Sequence, residues 1–261
     1  HYAPTTSSPP DLVAVALQEA ADLESIATYL AGPLCAPCPC LPARDAAVAE
    51  WADALAHQMP DHHLLGHAQL VGLGLLIFAK PEHAHHAKVD FASAGTGPLS
   101  LGNKGALVAH VEIYGCWLSL VCCHLAAGSK GPSRRNAEYW SVEERLNLTG
   151  VPGQLVVWCG DLNYRIALEA DEVRRHAIAG EHGPLLEADE LRLAQVTGAA
   201  FVGFHEGERT FAPTYKYDVG TSTFDSSEKA RAPAWCDRVL WRSDASVEVR
   251  SLSYASHELK T

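Results

Sequence analysis

Apolar runs separated by polar turns predict the β-strands of this chain. Leu12–Leu17 and Val71–Ala79 are nearly continuous apolar runs, a pattern typical of buried strands. Ala106–Ile113 and Trp117–Cys123 flank the short Tyr114-Gly115 segment, which predicts a hairpin. The other predicted strands are Gln154–Cys159, Arg238–Trp241 and Val247–Tyr254. Together these runs predict a sheet-rich core.

Segments with apolar positions three and four residues apart predict helices between the strands. The predicted helices are Ala20–Leu30, Asp45–Gln58, Ser133–Leu148, Ala167–Ala179 and Leu185–Thr197, with a Gly-rich break at Gly180–Gly183. Strands and helices that alternate irregularly and include a hairpin favour an α/β fold with two packed sheets. A length of 261 residues suits one large domain, 1–261.

The first chemical signal follows the predicted strand Gln154–Cys159. Gly160 is expected to let the backbone turn as it leaves the sheet, so that Asp161 and Asn163 lie at the rim. A carboxylate there can take a proton from water or hold a metal-bound water, and the amide can orient the group under attack. Taken alone, the same residues also fit a strand followed by an ordinary Asx turn.

The second signal is a long polar loop near the end of the chain. Residues 211–218 and 227–241 combine prolines, cations and interleaved aromatic side chains. Arg and Lys supply charge-assisted hydrogen bonds, and Tyr and Trp give a rigid frame. This composition indicates a loop that holds a multiply charged anion.

These motifs, in this order, resemble the inositol polyphosphate 5-phosphatase family, and most closely its type II branch. The main matches are Asp-Leu-Asn-Tyr-Arg at 161–165, Pro-Thr-Tyr-Lys-Tyr-Asp at 213–218 and Arg-Ala-Pro-Ala-Trp-Cys-Asp-Arg-Val-Leu at 231–240. Supporting matches are Leu17-Gln18-Glu19, Gly102-Asn103-Lys104-Gly105, His124-Leu125-Ala126-Ala127 and Arg134-Arg135-Asn136. The resemblance runs from about Asp11 to Thr261. It implies the four-layer α/β/β/α sandwich shared with DNase I and exonuclease III, with two packed mixed sheets.

The resemblance implies Mg²⁺-dependent hydrolysis of the 5-phosphate of phosphoinositides, such as phosphatidylinositol 4,5-bisphosphate, or of soluble inositol polyphosphates. Glu19 is the implied metal ligand, with a helix N-terminal acid as its alternative. Asp161 would activate or position the water, and Asn163 would hold the phosphoryl oxygen. His124 would bind the phosphate or support the departing oxygen, unless it is a buried histidine satisfied by backbone. Asp237 resembles the carboxylate that orients a further family histidine.

Substrate contacts are also implied by the resemblance. The residues that would contact the 4-phosphate of the inositol ring are Tyr215, Lys216 and Lys229. Arg231 and Arg238 would line the basic pocket or brace the loop. Asn103 and Lys104 lie on a loop that the family places near the lipid headgroup, and the apolar 98–101 segment before them would touch the membrane or be buried.

The net charge of −11 argues against bulk attraction to nucleic acid, and with the Pro-Thr-Tyr-Lys loop it disfavours a nuclease of the same fold. A phosphate substrate then needs a local basic pocket and a metal ion. No apolar run is long enough to cross a bilayer. We expect a cytoplasmic protein from its free thiols, and the family resemblance implies peripheral contact with membrane surfaces. The sequence leaves the oligomeric state open.

Cysteine and histidine clusters give weaker signals. Three cysteines in the Pro-rich 34–40 loop, Cys35, Cys38 and Cys40, favour an irregular thiol-bearing loop over a zinc site. Histidines of the 80–86 segment, His83, His85 and His86, favour a solvated face over a metal site. Cysteines predicted as small buried residues of strands are Cys116, Cys122, Cys123, Cys159 and Cys236. Free thiols fit a reducing compartment.

The two ends of the chain depart from the family pattern. The first residue is His1, which suggests a fragment or a processed chain, and nothing before Asp11 resembles the family's metal-site Asn. The family's Ser-Asp-His element is expected directly after Thr261, where the sequence ends. Two hypotheses follow: an incomplete copy of an active enzyme, or a non-catalytic phosphoinositide-binding relative.

Overall fold

Two β-sheets packed face to face form the centre of the fold in the computed structural model, which describes residues 8–20, 46–96, 104–128, 131–149 and 153–257. The predicted helix Ala20–Leu30, the 34–40 cysteine loop, Asn103 and the 98–101 segment lie outside these residues, apart from Ala20 itself. No helix of the described residues is long and apolar enough to cross a membrane.

The smaller sheet has three described strands in the order β1-β3-β2. Its strands are β1 (Leu12–Leu17), β2 (His63–Leu70) and β3 (Leu73–Ala79), and both pairings are antiparallel. Every residue of the central β3 is buried, as its uninterrupted apolar sequence predicts. Among the described strands this sheet is therefore antiparallel, whereas the sequence suggested two mixed sheets.

The larger sheet has the order β4-β5-β6-β7-β9-β8. Its strands are β4 (Ala87–Gly95), β5 (Gly105–Ile113), β6 (Cys116–His124), β7 (Gln154–Asp161), β8 (His205–Glu206) and β9 (Asp237–Ser243). Strands β6 and β7 are parallel and the other neighbours are antiparallel, so this sheet is mixed. The β5–β6 hairpin turns at Tyr114 and Gly115, both at positive φ.

Six helices lie among the described residues. They are α1 (Ala46–Gln58), α2 (Pro81–Ala84), α3 (Ser133–Arg145), α4 (Ala170–Ala179), α5 (His182–Glu187) and α6 (Glu190–Val196). Three of them, α1, α3 and α6, pack on the outer faces of the sheets. Val48 and Ala52 of α1 pack on Leu76 and Phe78 of the smaller sheet. Helices α3 and α6 pack on the larger sheet around Trp158. The order helix, sheet, sheet, helix gives the four layers that the family resemblance implied.

The predicted helix Leu185–Thr197 is two helices in the structure. The carboxylate of Asp189 accepts a hydrogen bond from the backbone N of Arg192 at 2.9 Å, which caps the second helix, α6. Asp189 is fully buried because it also pairs with Arg238. The break therefore comes from a tertiary ion pair that periodicity does not reveal.

The strand predictions need four corrections. The 244–257 segment contains no strand, so Val247–Tyr254 was wrong; Tyr254 instead donates its hydroxyl to Glu206 Oε1 at 2.9 Å. Strands β2 and β4 were missed because histidine, lysine and aspartate interrupt their apolar positions, and β8 was missed because it has only two residues. All three lie at sheet edges.

The prediction of buried strand cysteines is confirmed for most of the five positions, and His85 and His86 are exposed. Cys122, Cys123 and Cys236 are buried and Cys159 is half-buried, but Cys116 is exposed at the end of the hairpin. The described residues hold no cluster of three or more His, Cys, Asp or Glu side chains placed to bind a metal. His83 contacts the Tyr114 hydroxyl at 2.9 Å.

The sequence suggested that the chain turns out of the sheet at Gly160, but in the structure it does not. Gly160 lies inside β7 at φ 134°, paired with Cys123 of β6. A Cβ at this position would lie 2.0 Å from the carbonyl oxygen of Cys123. Glycine is therefore needed here because the two backbones approach so closely.

We expect Gly160→Ala to lower the free energy of unfolding by at least about 3 kcal/mol, since a β-carbon would collide with backbone that cannot move away. The matched control is Gly153→Ala, which also has a positive φ, 71°, but open space around the new β-carbon. The control should cost only about 1–2 kcal/mol. Urea unfolding of both variants measures the difference, and equal losses would contradict a steric origin.

Candidate active site

Polar residues from three adjacent strands line one rim of the larger sheet. His124 ends β6, Asp161 ends β7 and Asp237 begins β9. His124 is the direct neighbour of Asp161, and Asp161 is the direct neighbour of Asp237. The carboxyl ends of parallel strands meet at one edge of a sheet, which is where α/β folds place their chemistry. The structure thus brings together three residues that are well separated in the sequence, with His124 and Asp237 more than one hundred positions apart.

The imidazole of His124 is buried at this rim with two charged neighbours. Its Nε2 lies 3.1 Å from Asp161 Oδ2. The ammonium of Lys104 contacts the same nitrogen. One ring nitrogen can donate to the carboxylate or accept from the ammonium, but it cannot do both. Nε2 of His124 therefore lies between the Asp161 carboxylate and the Lys104 ammonium. Its contacts are with side chains, unlike those of a core histidine whose ring bonds only to backbone.

Lys104 belongs to the centre of the site. Burial lowers its pKa, while the negative charges of Asp161, Glu19 and Glu138 act in the opposite direction. Its ammonium therefore lies within electrostatic reach of the carboxylates at the rim. The sequence had placed Lys104 only on a loop near a headgroup.

Asn163 is held in a tight Asx turn next to Asp161. Its backbone N donates to Asp161 Oδ1 at 2.9 Å, and its own φ is 56°. Asparagine tolerates this left-handed conformation better than most residues. The side chain is buried, with Nδ2 donating to Leu125 O at 3.1 Å. The Asx turn and the candidate catalytic role are therefore compatible.

Glu19 projects from the end of β1 on the smaller sheet and is exposed, with φ 55°. The preceding Gln18 donates its side-chain N to Cys122 Sγ at 3.2 Å, which ties this segment to β6. Mg²⁺ usually takes one or two carboxylates and completes its shell with water and phosphate oxygens. An exposed carboxylate at Glu19 therefore fits a hard divalent cation whose other ligands are mostly water and phosphate oxygens.

The carboxyl group of Asp237, at the same rim, has a strongly perturbed pKa. Partial desolvation, followed by repulsion from Asp161, raises the pKa of this carboxyl to about 6 from 3.8. A hydrogen bond from Thr214 Oγ1 to its Oδ2 at 3.3 Å and the charges of His124 and Arg165 act in the opposite direction. The residue is exposed to solvent, so its chemistry is accessible from the rim.

The polar loop that follows β8 lies beside this rim. The guanidinium of Arg165 lies 4.3 Å from the centroid of the Tyr215 ring. Lys216 and Lys229 are both exposed. Arg231 donates to Asp225 Oδ2 at 3.1 Å, so it braces the loop.

Arg238 is fully buried and forms ion pairs within the fold. Its Nη1 lies 3.0 Å from Asp189 Oδ2 and its Nη2 lies 2.6 Å from Glu206 Oε2. Of the two roles considered for Arg238, these contacts favour bracing over a place in the basic pocket.

Sequence reasoning assigned no role to several residues that contact the site. Arg165 donates Nη2 to Asn163 Oδ1 at 2.7 Å. Glu138 accepts from Ala126 N at 2.7 Å, just after His124, and Thr214 bonds Asp237. Arg165 stands in the Asp-Leu-Asn-Tyr-Arg motif and Thr214 in the Pro-Thr-Tyr-Lys-Tyr-Asp motif, which were the available signals. Glu138 carried none.

Comparison with known proteins shows what this chain is similar to. The profile of the endonuclease/exonuclease/phosphatase family 2 matches residues 2–261. Synaptojanin of Caenorhabditis elegans is 39% identical over 207 residues, covering 76% of this chain and 18% of that protein. The type II inositol 1,4,5-trisphosphate 5-phosphatase of Mus musculus is 37% identical over 229 residues, covering 81% of this chain and 23% of that protein. The chain thus spans about a fifth of the length of these two relatives.

Two solved structures have the same fold. The inositol polyphosphate 5-phosphatase domain of SPsynaptojanin, in complex with inositol (1,4)-bisphosphate and calcium ion, is 31% identical with a TM-score of 0.72. The match covers 91% of this chain and 69% of that domain. A Cimex nitrophorin variant, in a ferrous NO complex, has a TM-score of 0.74 at 20% identity and covers 96% of this chain and 82% of that one. At that identity the second match shows the fold alone.

The raised pKa of Asp237 predicts a pH dependence of stability. Between about pH 4 and about pH 6 the folded chain keeps a proton that the unfolded chain has lost, so this group lowers the free energy of unfolding as pH rises. Asp237→Asn cannot ionise. We expect it to be more stable than wild type above about pH 6, with the difference vanishing near pH 4. Urea unfolding across this range, without divalent cations, measures the difference.

Asp53→Asn is the control, because Asp53 is an exposed carboxylate on α1, away from the rim. Its stability difference from wild type should stay constant across the same window. A difference for Asp237→Asn that is also independent of pH would contradict the electrostatic origin.

Proposed function

This chain belongs to the inositol polyphosphate 5-phosphatase family, and from that premise we propose that it hydrolyses the 5-phosphate of phosphoinositides or of soluble inositol polyphosphates in the presence of Mg²⁺. The observation that carries the proposal is the contiguous row of His124, Asp161 and Asp237 across three strands, with the backbone N of Asn163 bonded to the Asp161 carboxylate. Water and a phosphate monoester give an alcohol and inorganic phosphate in this reaction.

The names of two relatives support this choice of bond. The mouse relative is named for inositol 1,4,5-trisphosphate, and the SPsynaptojanin domain was solved with inositol (1,4)-bisphosphate. These two molecules differ by the 5-phosphate, so the second is what removal of that group from the first would leave. Phosphatidylinositol 4,5-bisphosphate presents the same arrangement of ring phosphates in a lipid.

Each rim residue has a distinct task in this reaction. The Asp161 carboxylate orients the attacking water and accepts its proton, because it lies at the rim of the sheet, where β7 ends. An amide hydrogen of Asn163 is available to a phosphoryl oxygen, which accumulates charge in the transition state. His124 and Lys104 are adjacent donors for the same oxygens or for the departing ring oxygen.

Glu19, with Asp161 nearby, would hold Mg²⁺, which when bound supplies positive charge to the phosphoryl and leaving oxygens. Because the chain has a net charge of −11, positive charge for a polyanionic substrate has to be local.

The substrate is proposed to extend from the rim towards the polar loop. Tyr215, Lys216 and Lys229 would bind the neighbouring 4-phosphate, and the exposure of both lysines supports this. For a lipid substrate, the protein would work at the membrane surface as a peripheral enzyme, and Asn103 and Lys104 would bind the headgroup. A nuclease function is not proposed, because the cations of the described loop are few and the chain is acidic.

The decisive test of the proposal is Asp161→Asn in the complete natural chain. We expect the variant to lose at least about 10³-fold in kcat, because the attacking water loses the group that accepts its proton. Phosphate release from inositol 1,4,5-trisphosphate with Mg²⁺ measures turnover, and NMR of the product identifies the position of cleavage. The melting temperature should stay near that of wild type.

Asp90→Asn is the control, because Asp90 is an exposed carboxylate on the edge strand β4. It should retain full turnover. Wild-type protein that binds the headgroup but releases no phosphate would instead select the non-catalytic alternative. Cleavage of DNA would revive a nuclease.

The 4-phosphate contact predicts a substrate-dependent effect of Lys229→Ala. We expect kcat/KM for inositol 1,4,5-trisphosphate to fall about tenfold, since one charge-assisted hydrogen bond is lost. The loss should be absent for inositol 1,5-bisphosphate, which has no 4-phosphate. Lys88→Ala is the control, because Lys88 is an exposed lysine that pairs with Glu112 at 3.1 Å on β4 and β5. Equal losses on both substrates would contradict the assigned contact.

A further inference from the structure

We propose that Arg165 is a positioning residue that fixes the orientation of the Asn163 amide, and that Glu190 and Arg135 hold Arg165 in place for this task. The inference rests on the proposed function, in which Asn163 donates to a phosphoryl oxygen. It adds three residues to which neither the sequence motifs nor the rim geometry gave a role in the reaction.

The amide of Asn163 has only one orientation compatible with its neighbours. Its Oδ1 accepts from Arg165 Nη2 at 2.7 Å, and its Nδ2 donates to Leu125 O at 3.1 Å. A flipped amide would place two donors against each other at Arg165 and two acceptors against each other at Leu125. Since the side chain is buried, water cannot relieve either conflict. Arg165 therefore makes the correct orientation the favoured one.

The fixed orientation leaves one donor for the substrate. An Asn amide has two N–H groups, and one of those of Asn163 is used by Leu125. The other N–H has no hydrogen-bond partner among the described residues, and in the proposed function it donates to the oxygen that gains charge during phosphoryl transfer. Without Arg165, the Leu125 carbonyl alone would discriminate between the two orientations.

Arg165 is itself held from two sides. Its guanidinium lies over the Tyr215 ring at 4.3 Å, in the range of a cation–π contact. Its backbone N donates to Glu190 Oε2 at 2.8 Å, and its backbone O accepts from Glu190 N at 2.9 Å. Glu190 therefore fixes the main chain of Arg165, while Tyr215 supports the side chain.

Arg135 connects this arrangement to the loop that follows His124. Its Nη2 donates to the same Glu190 oxygen at 2.6 Å, and its Nη1 donates to Gly128 O at 3.0 Å. Arg135 is only 2% exposed, so this ion pair is shielded from solvent and little screened. One carboxylate, Glu190, therefore ties the Asn163 loop to the His124 loop.

The test is a double-mutant cycle of Arg165→Ala and Asn163→Ala in the chain with measured wild-type turnover. We expect Arg165→Ala to lower kcat by roughly 10- to 100-fold with little change in KM, as for other groups that orient a catalytic residue. In the Asn163→Ala background, Arg165→Ala should cost less than about threefold, because the amide that it orients is gone. Arg165→Lys, which keeps a donor, should recover part of the lost kcat.

Arg242→Ala is the control that distinguishes a positioning role from a purely structural one. Arg242 also lies over an aromatic ring, that of Phe204 at 4.5 Å, and also bonds a carboxylate, that of Glu143 at 3.2 Å. It should lower the melting temperature without lowering kcat. If Arg165→Ala does not fold, the same cycle is run with Arg165→Lys.

Three results would overturn the inference. The first is an Arg165 variant with unchanged kcat. The second is an equally large loss in the Asn163→Ala background, which would assign Arg165 to direct substrate contact. The third is a loss confined to KM. A wild-type chain without turnover would instead refute the proposed function, which the first measurement of the cycle already shows.

Discussion

The parallel pairing of β6 with β7 is the constraint on which the site depends. Its register sets His124 beside Asp161, and the antiparallel β9 then adds Asp237 on the other side of Asp161. A shift of one residue would turn every side chain of β7 to the opposite face. Gly160 lets the two backbones approach at the last step before the rim, where any β-carbon would meet the Cys123 carbonyl. The glycine next to Asp161 is therefore part of the sheet that positions the carboxylate.

Buried charge is a second constraint, in a chain whose net charge is negative. Arg238 is enclosed by Asp189 and Glu206, and Arg135 is paired with Glu190. Removing one partner of such a pair leaves an uncompensated buried charge, which costs several kcal/mol. These arginines are consequently committed to the fold. A polyanionic substrate can bind only to cationic side chains that are exposed or that face the rim. The few exposed lysines of the loop are therefore more important for binding.

Much of the fold and part of the site followed from local sequence patterns. Asp161 could be found because an apolar strand precedes it, and the six residues from Pro213 to Asp218 because their composition suits an anion. Arg165 and Glu190 could not be found as partners in this way, because their contact is tertiary and joins the strand β7 exit to the start of α6. Lys104 was assigned to an outer loop for the same reason, since its contact with His124 depends on the β5–β6 pairing. Val247–Tyr254 failed differently: its alternating pattern suits a strand, but in the described residues it pairs with none.

The fold leaves the chemistry open, and the rim decides it. A Cimex nitrophorin shares the architecture at 20% identity, whereas the SPsynaptojanin phosphatase domain shares it at 31%. Layers and strand order therefore carry no information about the reaction by themselves. What distinguishes an enzyme on this scaffold is whether each donor at the rim is held in the one orientation that its task requires. For Asn163 that orientation is set by hydrogen bonds on both sides of its amide, and the Asx turn joins the Asp161 side chain to the main chain of Asn163. Water attack and phosphoryl stabilisation would then depend on the same Asx turn, so loss of its geometry would disable both steps together.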